Sequence, residues 1–190
     1  MYSSLIAHIA KFVTLTDTEN ELMCSFINHK TVKKKQHLLE EGASGNTQYF
    51  IVKGCCRMYI INQKGNEQTL QFGIENWWMA DYLAFHNNGV SGFYIQALEN
   101  AEIITIDKPA LETLLSKIPK LEKYFRLVLQ KSYGASQIRI KYLFTMSAEE
   151  RYHNMNDRFP EFVQRVPQYM LASYLEFTPE FLSKIRAGKT

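Results

Sequence analysis

Between residues 31 and 107, Gly42, Gly45, Gly54, Gly65, Gly73, Gly89 and Gly92 cut the chain into short β-rich runs. Residues 49–52 (YFIV), 57–61 (RMYII), 68–72 (QTLQF), 93–98 (FYIQAL) and 102–106 (EIITI) are such runs. Asn62, Gly65 and Asn66 sit between the second and third, a hairpin signal. Short strands with turn signals roughly every 8–12 residues build a sandwich or small barrel. The spacing predicts an antiparallel β-roll.

Either side of this stretch the period changes to that of a helix. Residues 1–30 place Leu5, Ile6, Ile9, Phe12 and Val13, then Leu22, Cys24, Phe26 and Ile27, at helical spacing. Thr16 ahead of Glu19 and Glu21 is a capping pattern. After the β-rich part Pro109 suits a first helical turn, and Leu111, Leu114, Leu115 and Ile118 fit a short helix stopping near Pro119. A long amphipathic pattern follows, carrying Leu121, Tyr124, Phe125, Val128 and Leu129, then Ile138, Ile140, Leu143 and Phe144. A helix that long exposes more apolar surface than one small domain covers, which points to a dimer seam. Packing against the chain's own β-roll is the plainer alternative, and both can hold on different faces.

Residues 147–190 form a compact helical module. Ser147 before Glu149 and Glu150 starts one helix, residues 159–160 (FP) end it, and residues 165–167 (RVP) open the next. Residues 168–187 (QYMLASYLEFTPEFLSKIRA) read as two helices around a tight turn. Leu171, Ala172 and Leu175 form the inner face of the first, Phe177 fills the corner, and Leu182 and Ile185 form the inner face of the second. Thr178 suits a cap, Pro179 a first position and Glu180 a first turn. This is the spacing of a helix-turn-helix. The outer face of its second helix carries Pro179, Glu180, Ser183, Lys184 and Arg186, residue types that reach base edges and phosphates in a major groove. The turn usually takes glycine; here Glu176 occupies it, at a cost of roughly 1 kcal/mol.

The charge divides along the same line. The net charge is +3. Residues 1–115 hold nine Lys/Arg against twelve Asp/Glu, whereas residues 116–190 hold thirteen against seven. A basic end of this kind meets a polyanion or serves as a solvated helical surface. Apolar residues are 46% of the chain and charged residues 22%, which excludes a disordered, collagenous or low-complexity chain. No apolar run approaches the roughly 18 residues of a membrane span. The first residues lack a basic leader and long apolar stretch, so no secretory signal is expected. Three cysteines, two of them adjacent, make no disulfide framework, and reduced thiols in a cytoplasm are the expectation.

Other features carry less. Cys55 and Cys56 fall in an expected strand and would point to opposite faces, which disfavours a shared metal. His8, His29, His37, His86 and His153 show no metal-ligand spacing, so no metal site is expected. Lys33, Lys34 and Lys35 read as a solvated edge. Trp77, Trp78, Phe85, Phe93 and Tyr94 suit an apolar pocket, or plain core. No phosphate loop, nucleophile elbow or catalytic carboxylate pair is present, and the chain is not expected to be an enzyme.

A β-roll, a long helix and a terminal helix-turn-helix together resemble the Crp/Fnr (catabolite-activator and fumarate–nitrate regulator) family of bacterial transcription factors. The pieces are residues 49–54 (YFIVKG), 65–67 (GNE), 98–106 (LENAEIITI), 165–168 (RVPQ), 172–175 (ASYL) and 177–180 (FTPE). The resemblance implies an α+β architecture. Residues 1–115 would be a cyclic-nucleotide-binding-like sensor with N-terminal helices, 116–146 a dimerisation helix seamed by Leu121, Tyr124, Phe125, Val128 and Leu129, and 147–190 a DNA-binding module.

It implies double-stranded DNA, a second copy of the chain and RNA polymerase as partners, in the cytoplasm with no membrane. The DNA-contacting set is Gln168, Tyr169, Thr178, Pro179, Glu180, Ser183, Lys184, Arg186 and Lys189. After the second helix only residues 187–190 remain, so the family's β-hairpin wing is expected to be missing. Phosphate contacts then fall to Lys184, Arg186, Lys189 and the module's first helix.

The family's phosphate cassette has a Gly-Glu-Leu and, further on, an Arg-Ser; its Arg neutralises the cyclic phosphate and its Glu bonds the ribose. The matching residues here are Met79, Ala80, Asp81 and Tyr82, then Ser91 and Gly92. Asp81 is a shorter stand-in for the Glu, Ser91 sits where the Arg belongs, and no Lys or Arg lies between Asp81 and Leu98. A buried cyclic phosphate would lack its charge partner, so neither cAMP nor cGMP is expected to bind. Only Cys24 precedes the roll, which excludes the N-terminal cysteine set that holds an iron–sulfur cluster in some members. Haem would need an axial ligand such as His37 or His86, which nothing else supports. The alternative to a DNA-binding regulator is a ligand-sensing or protein-docking domain whose tail only packs.

Overall fold

The computed structural model describes residues 2–188. In chain order its elements are α1 (Ser3–Ala10), α2 (Asp17–Cys24), β1 (Asn28–Val32), β2 (His37–Leu39), β3 (Thr47–Lys53), β4 (Cys56–Ile61), β5 (Glu67–Gly73), β6 (Trp78–Met79), α3 (Tyr82–Asn87), β7 (Tyr94–Ala97), β8 (Ala101–Asp107), α4 (Lys108–Lys117), α5 (Lys120–Thr145), α6 (Ala148–Arg158), α7 (Pro160–Arg165), α8 (Gln168–Leu175) and α9 (Pro179–Arg186). The strands form two four-stranded sheets, ordered β1-β8-β3-β6 and β2-β7-β4-β5. The pairings of β1 with β8, β3 with β6 and β8, and β2 with β7 are all antiparallel. The fold is α+β. Contacts divide the chain into two compact units: Met1–Met58 with Phe72–Gln130, and Tyr59–Gln71 with Lys131–Thr190.

In the first unit, alternation along the strands buries both faces of one sheet. Phe50, Trp78, Ile104 and Ile106 join Leu5, Ile9, Leu111, Leu114, Leu121 and Tyr124 in one core. The intervening Tyr49, Ile51, Met79 and Ile103 join Leu39, Met58 and Ile95 in the other. Successive side chains of a strand point to opposite faces, so an unbroken apolar run is what a doubly covered strand needs. Gly54 turns β3 towards β4 with φ at 108°. A Cβ there would lie 2.6 Å from that of Ala101, so both the backbone and the packing require glycine. Trp77 and Trp78 part company at this sheet's edge: the first is 46% exposed, the second 6%.

Tyr124 is wholly buried at the centre of the first core. Its hydroxyl oxygen accepts from Trp78 Nε1 at 2.8 Å and lies 2.9 Å from His8 Nδ1. The indole N–H can only donate, so the phenol oxygen is the acceptor of that bond. Burial pushes the phenol well above its usual range.

Two expectations are corrected. The helical pattern stops at Cys24, and Asn28–Val32 pairs as β1 with β8; Ile27 is buried at the join. The strand expected to hold both Cys55 and Cys56 begins at Cys56, and both thiols are buried.

In the second unit, Asn62 N donates to the Asn66 carbonyl and Gly65 N to the Asn62 carbonyl, closing the β4–β5 hairpin. Ser147 and Glu150 form a reciprocal capping box at the start of α6. Glu176 ends α8 at φ 63°, ψ 47°. Phe177 N donates to the Ala172 carbonyl at 3.1 Å and Glu176 N to the Ser173 carbonyl at 3.3 Å, a Schellman closure.

Candidate nucleic-acid interface

Helix α9 is built from its cap. Thr178 Oγ accepts from Phe181 N at 3.2 Å, and Pro179 needs no donor in the first turn. Leu182 and Ile185 are buried at 0% and 3% exposure, which fixes the helix rotation. That rotation leaves Pro179, Glu180, Ser183, Lys184 and Arg186 exposed. Hydrogen bonds from its own backbone N–H and the Thr178 hydroxyl hold the Glu180 carboxyl below the usual carboxylate range. Thr178, Gln168 and Tyr169 are exposed as well, the last two at the start of α8. The structure thus presents these eight expected contacts to solvent; the ninth, Lys189, lies outside the described residues. Sequence reasoning missed Phe181, which is 37% exposed on the same helix with its ring centroid 5.7 Å from that of Phe177.

The last carbonyls of α8 are held from three sides. The Ser173 carbonyl accepts from Gln68 Nε2 of the hairpin. That of Tyr174 accepts from Arg139 Nη2 of α5 at 3.0 Å, with the guanidinium 4.5 Å from the Tyr174 ring centroid. That of Leu175 accepts from Arg151 Nη2 of α6 at 3.0 Å, while Arg151 Nη1 reaches the Met146 carbonyl at 2.8 Å. Helix ends leave carbonyls without intrahelical partners, and basic side chains there also oppose the negative end of the helix dipole. Nothing local in the sequence marks these long-range partners.

In the first unit, Asp81 is buried and fully engaged. Oδ1 caps α3 by accepting from Ala84 N at 3.0 Å; Oδ2 accepts from Ser91 Oγ at 3.0 Å and Gly92 N at 3.2 Å. Met79, Ala80 and Ser91 are buried, whereas Tyr82 and Gly92 are exposed. Asp81, Ser91 and Gly92 therefore come together, but as a closed hydrogen-bonded corner. The five aromatic residues expected to line a pocket or to be plain core are divided: Trp78 and Phe85 join one core, Phe93 joins the other, Trp77 is half exposed, and the Tyr94 ring lies 5.8 Å from that of His37.

Of the expected dimer residues, Leu121 and Tyr124 are spent in the chain's own core, and Phe125 and Val128 are half-buried against it. Leu129 is 48% exposed. Further along α5, Tyr133, Ile140 and Phe144 are also exposed and lie on the face Leu129 begins.

Cys24, Cys55 and Cys56 are thiols. Among the described residues no three of His, Cys, Asp or Glu are grouped to hold a metal ion, so these thiols do not fit an iron–sulfur cluster. No helix among them is long and apolar enough to cross a membrane.

Residues 29–117 match the cyclic nucleotide-binding domain. The anaerobic regulatory protein of Haemophilus influenzae is 28% identical over 186 residues, covering 90% of this chain and 71% of that protein. The fumarate and nitrate reduction regulatory protein of Vibrio cholerae is 26% identical over 188 residues, covering 90% and 73%. Over most of its length the chain is similar to regulators of the Crp/Fnr type. Among solved structures, the c-di-GMP-responsive global regulator CLP of Xanthomonas campestris superposes with a TM-score of 0.73 at 14% identity, covering 91% of each chain. This protein is a DNA-binding transcriptional regulator. Crp/Fnr regulators bind DNA as dimers and are typically not enzymes.

Proposed function

We propose that this Crp/Fnr regulator is a homodimer that reads a near-palindromic operator with the outer face of α9. The observation that carries the reading is that face itself. Burial of Leu182 and Ile185 leaves Glu180, Ser183, Lys184 and Arg186 exposed on one short, capped helix. Glu180 accepts from a cytosine amino group, and Lys184 and Arg186 take guanine or phosphate. Gln168, Tyr169, Thr178 and Lys189 supply phosphate contacts. Pairing along α5 sets two such helices about 34 Å apart, one turn of B-DNA. The seam runs through Leu129, Tyr133, Ile140 and Phe144, whose exposure is costly in a lone helix. Residues 1–115 act as the sensor, 116–146 as the dimer helix and 147–190 as the reading module. RNA polymerase is the downstream partner, the cytoplasm the compartment, and no residue is given a catalytic role.

Signalling does not run through cAMP, cGMP or a metal cofactor. Both Asp81 carboxylate oxygens are occupied by Ala84, Ser91 and Gly92, and Ser91 offers a cyclic phosphate no positive charge.

Selection of random duplexes at modest salt tests the reading, with Lys184→Ala/Arg186→Ala run beside the wild type. An enriched near-palindrome that the variant no longer binds is the expected result. Wild-type affinity should fall steeply with salt, and each phosphate that loses its cationic side chain should lower the logarithmic slope by about 1. Unchanged affinity in the variant would refute the reading.

A further inference from the structure

The reading helix carries an aromatic side chain that its interior does not consume. Phe181 remains 37% exposed, whereas Leu182 beside it is wholly buried. Its placement is fixed: its N–H donates to the Thr178 cap, and its ring meets that of Phe177 edge to face at 73°. At about 100° per residue, Phe181 lies on the flank between the buried Ile185 and the outward Lys184. A base pair shows only one apolar group in the major groove, the thymine C5 methyl, and phenylalanine is among the side chains that contact it.

We infer that Phe181 reads a thymine methyl in each half-site, on the same side of α9 as Lys184. The inference rests on the DNA-reading role proposed above and adds a specificity residue to it. Glu180 and Lys184 then discriminate by hydrogen bonding and charge, Phe181 by a methyl contact.

The test uses the full-length protein and the duplex recovered by selection. Each thymine of the half-site is replaced in turn by deoxyuridine, which removes the methyl and leaves base pairing intact. Wild type should lose about fourfold in affinity at one position, the effect of burying one methyl-sized group. Phe181→Ala should bind the thymine and uridine duplexes equally. Phe181→Gln, which keeps a long side chain, should do the same and serves where the alanine variant fails to fold. Equal binding of both duplexes by wild type at every position overturns the inference, as does discrimination that survives in a folded Phe181 variant. Lys184→Ala keeps the two proposals apart. If it loses binding while no thymine matters, only the methyl reading fails; if it binds normally or no duplex is enriched, the DNA reading fails and the methyl reading with it.

Discussion

The Ser173 hydroxyl and the Thr69 backbone N–H are hydrogen-bonded at 2.9 Å across 104 residues of sequence. The same hydroxyl donates to the Glu67 carbonyl at 3.2 Å, so one side chain of α8 pairs with the edge of β5 much as a neighbouring strand would. Ser173→Ala removes both partners and leaves the Thr69 N–H beside a methyl group. A buried group left without its partner costs about 1–3 kcal/mol, and Thr69 is wholly buried. Denaturant unfolding should show a loss of about 1–2 kcal/mol for Ser173→Ala. A loss below a few tenths would mean that the pairing contributes nothing net.

Glu176 sits in the left-handed region at φ 63° and is exposed. Glycine takes that conformation without a Cβ penalty. Glu176→Gly should therefore stabilise the turn by about 1 kcal/mol, raising Tm by about 3 °C for a chain of this size. A lower Tm would show that the Glu176 side chain contributes more than the strain it imposes.

The Lys120 ammonium, 2.9 Å from Glu19 Oε2, is the main cause holding the Glu19 carboxyl below its usual value of 4.5, with the Thr16 backbone N–H helping. A carboxyl that is more acidic folded than unfolded stabilises fully above its unfolded pKa. That contribution fades as pH falls through the folded one. Tm of the wild type should thus exceed that of Glu19→Gln at neutral pH. The gap should begin to close near pH 4.5 and vanish below the lowered value. A gap independent of pH would assign the effect to the capping box rather than to charge.

Phe144 is 86% exposed and Ile140 53%. With Tyr133 and Leu129 they recur at spacings of four and seven that keep one face of a helix in register. Ile140→Glu/Phe144→Glu places like charges on that face in both copies. Sedimentation should show a monomer where the wild type is a dimer, and operator affinity should fall by at least tenfold. A dimeric variant would move the seam elsewhere.

Local chemistry was legible in advance. Thr16, Ser147 and Thr178 cap where their neighbours say they should, and Asn62 and Gly65 turn the hairpin. The helix-turn-helix was readable because Leu171, Ala172, Leu175, Leu182 and Ile185 are all buried at the spacing expected. The first strand was not, because Phe26 and Ile27 continue a helical period across the break at Cys24. Leu121 and Tyr124 show the limit of an apolar stripe, which records that a face is covered without recording by what. Phe181 escaped notice because its exposure depends on where Phe177 and the inner face hold it. The carbonyl clamp of Gln68, Arg139 and Arg151 lies beyond any local signal.

Trp77 and Trp78 are neighbours in the chain, yet one faces water and the other lies against Tyr124. Optically they are two fluorophores with opposite solvent access. Iodide should quench the red-shifted emission of Trp77 and spare the blue-shifted emission of Trp78. The protein therefore carries an unlabelled two-channel gauge, one channel on the rim of a sheet and one in its core, with which a small molecule that alters either can be screened in solution.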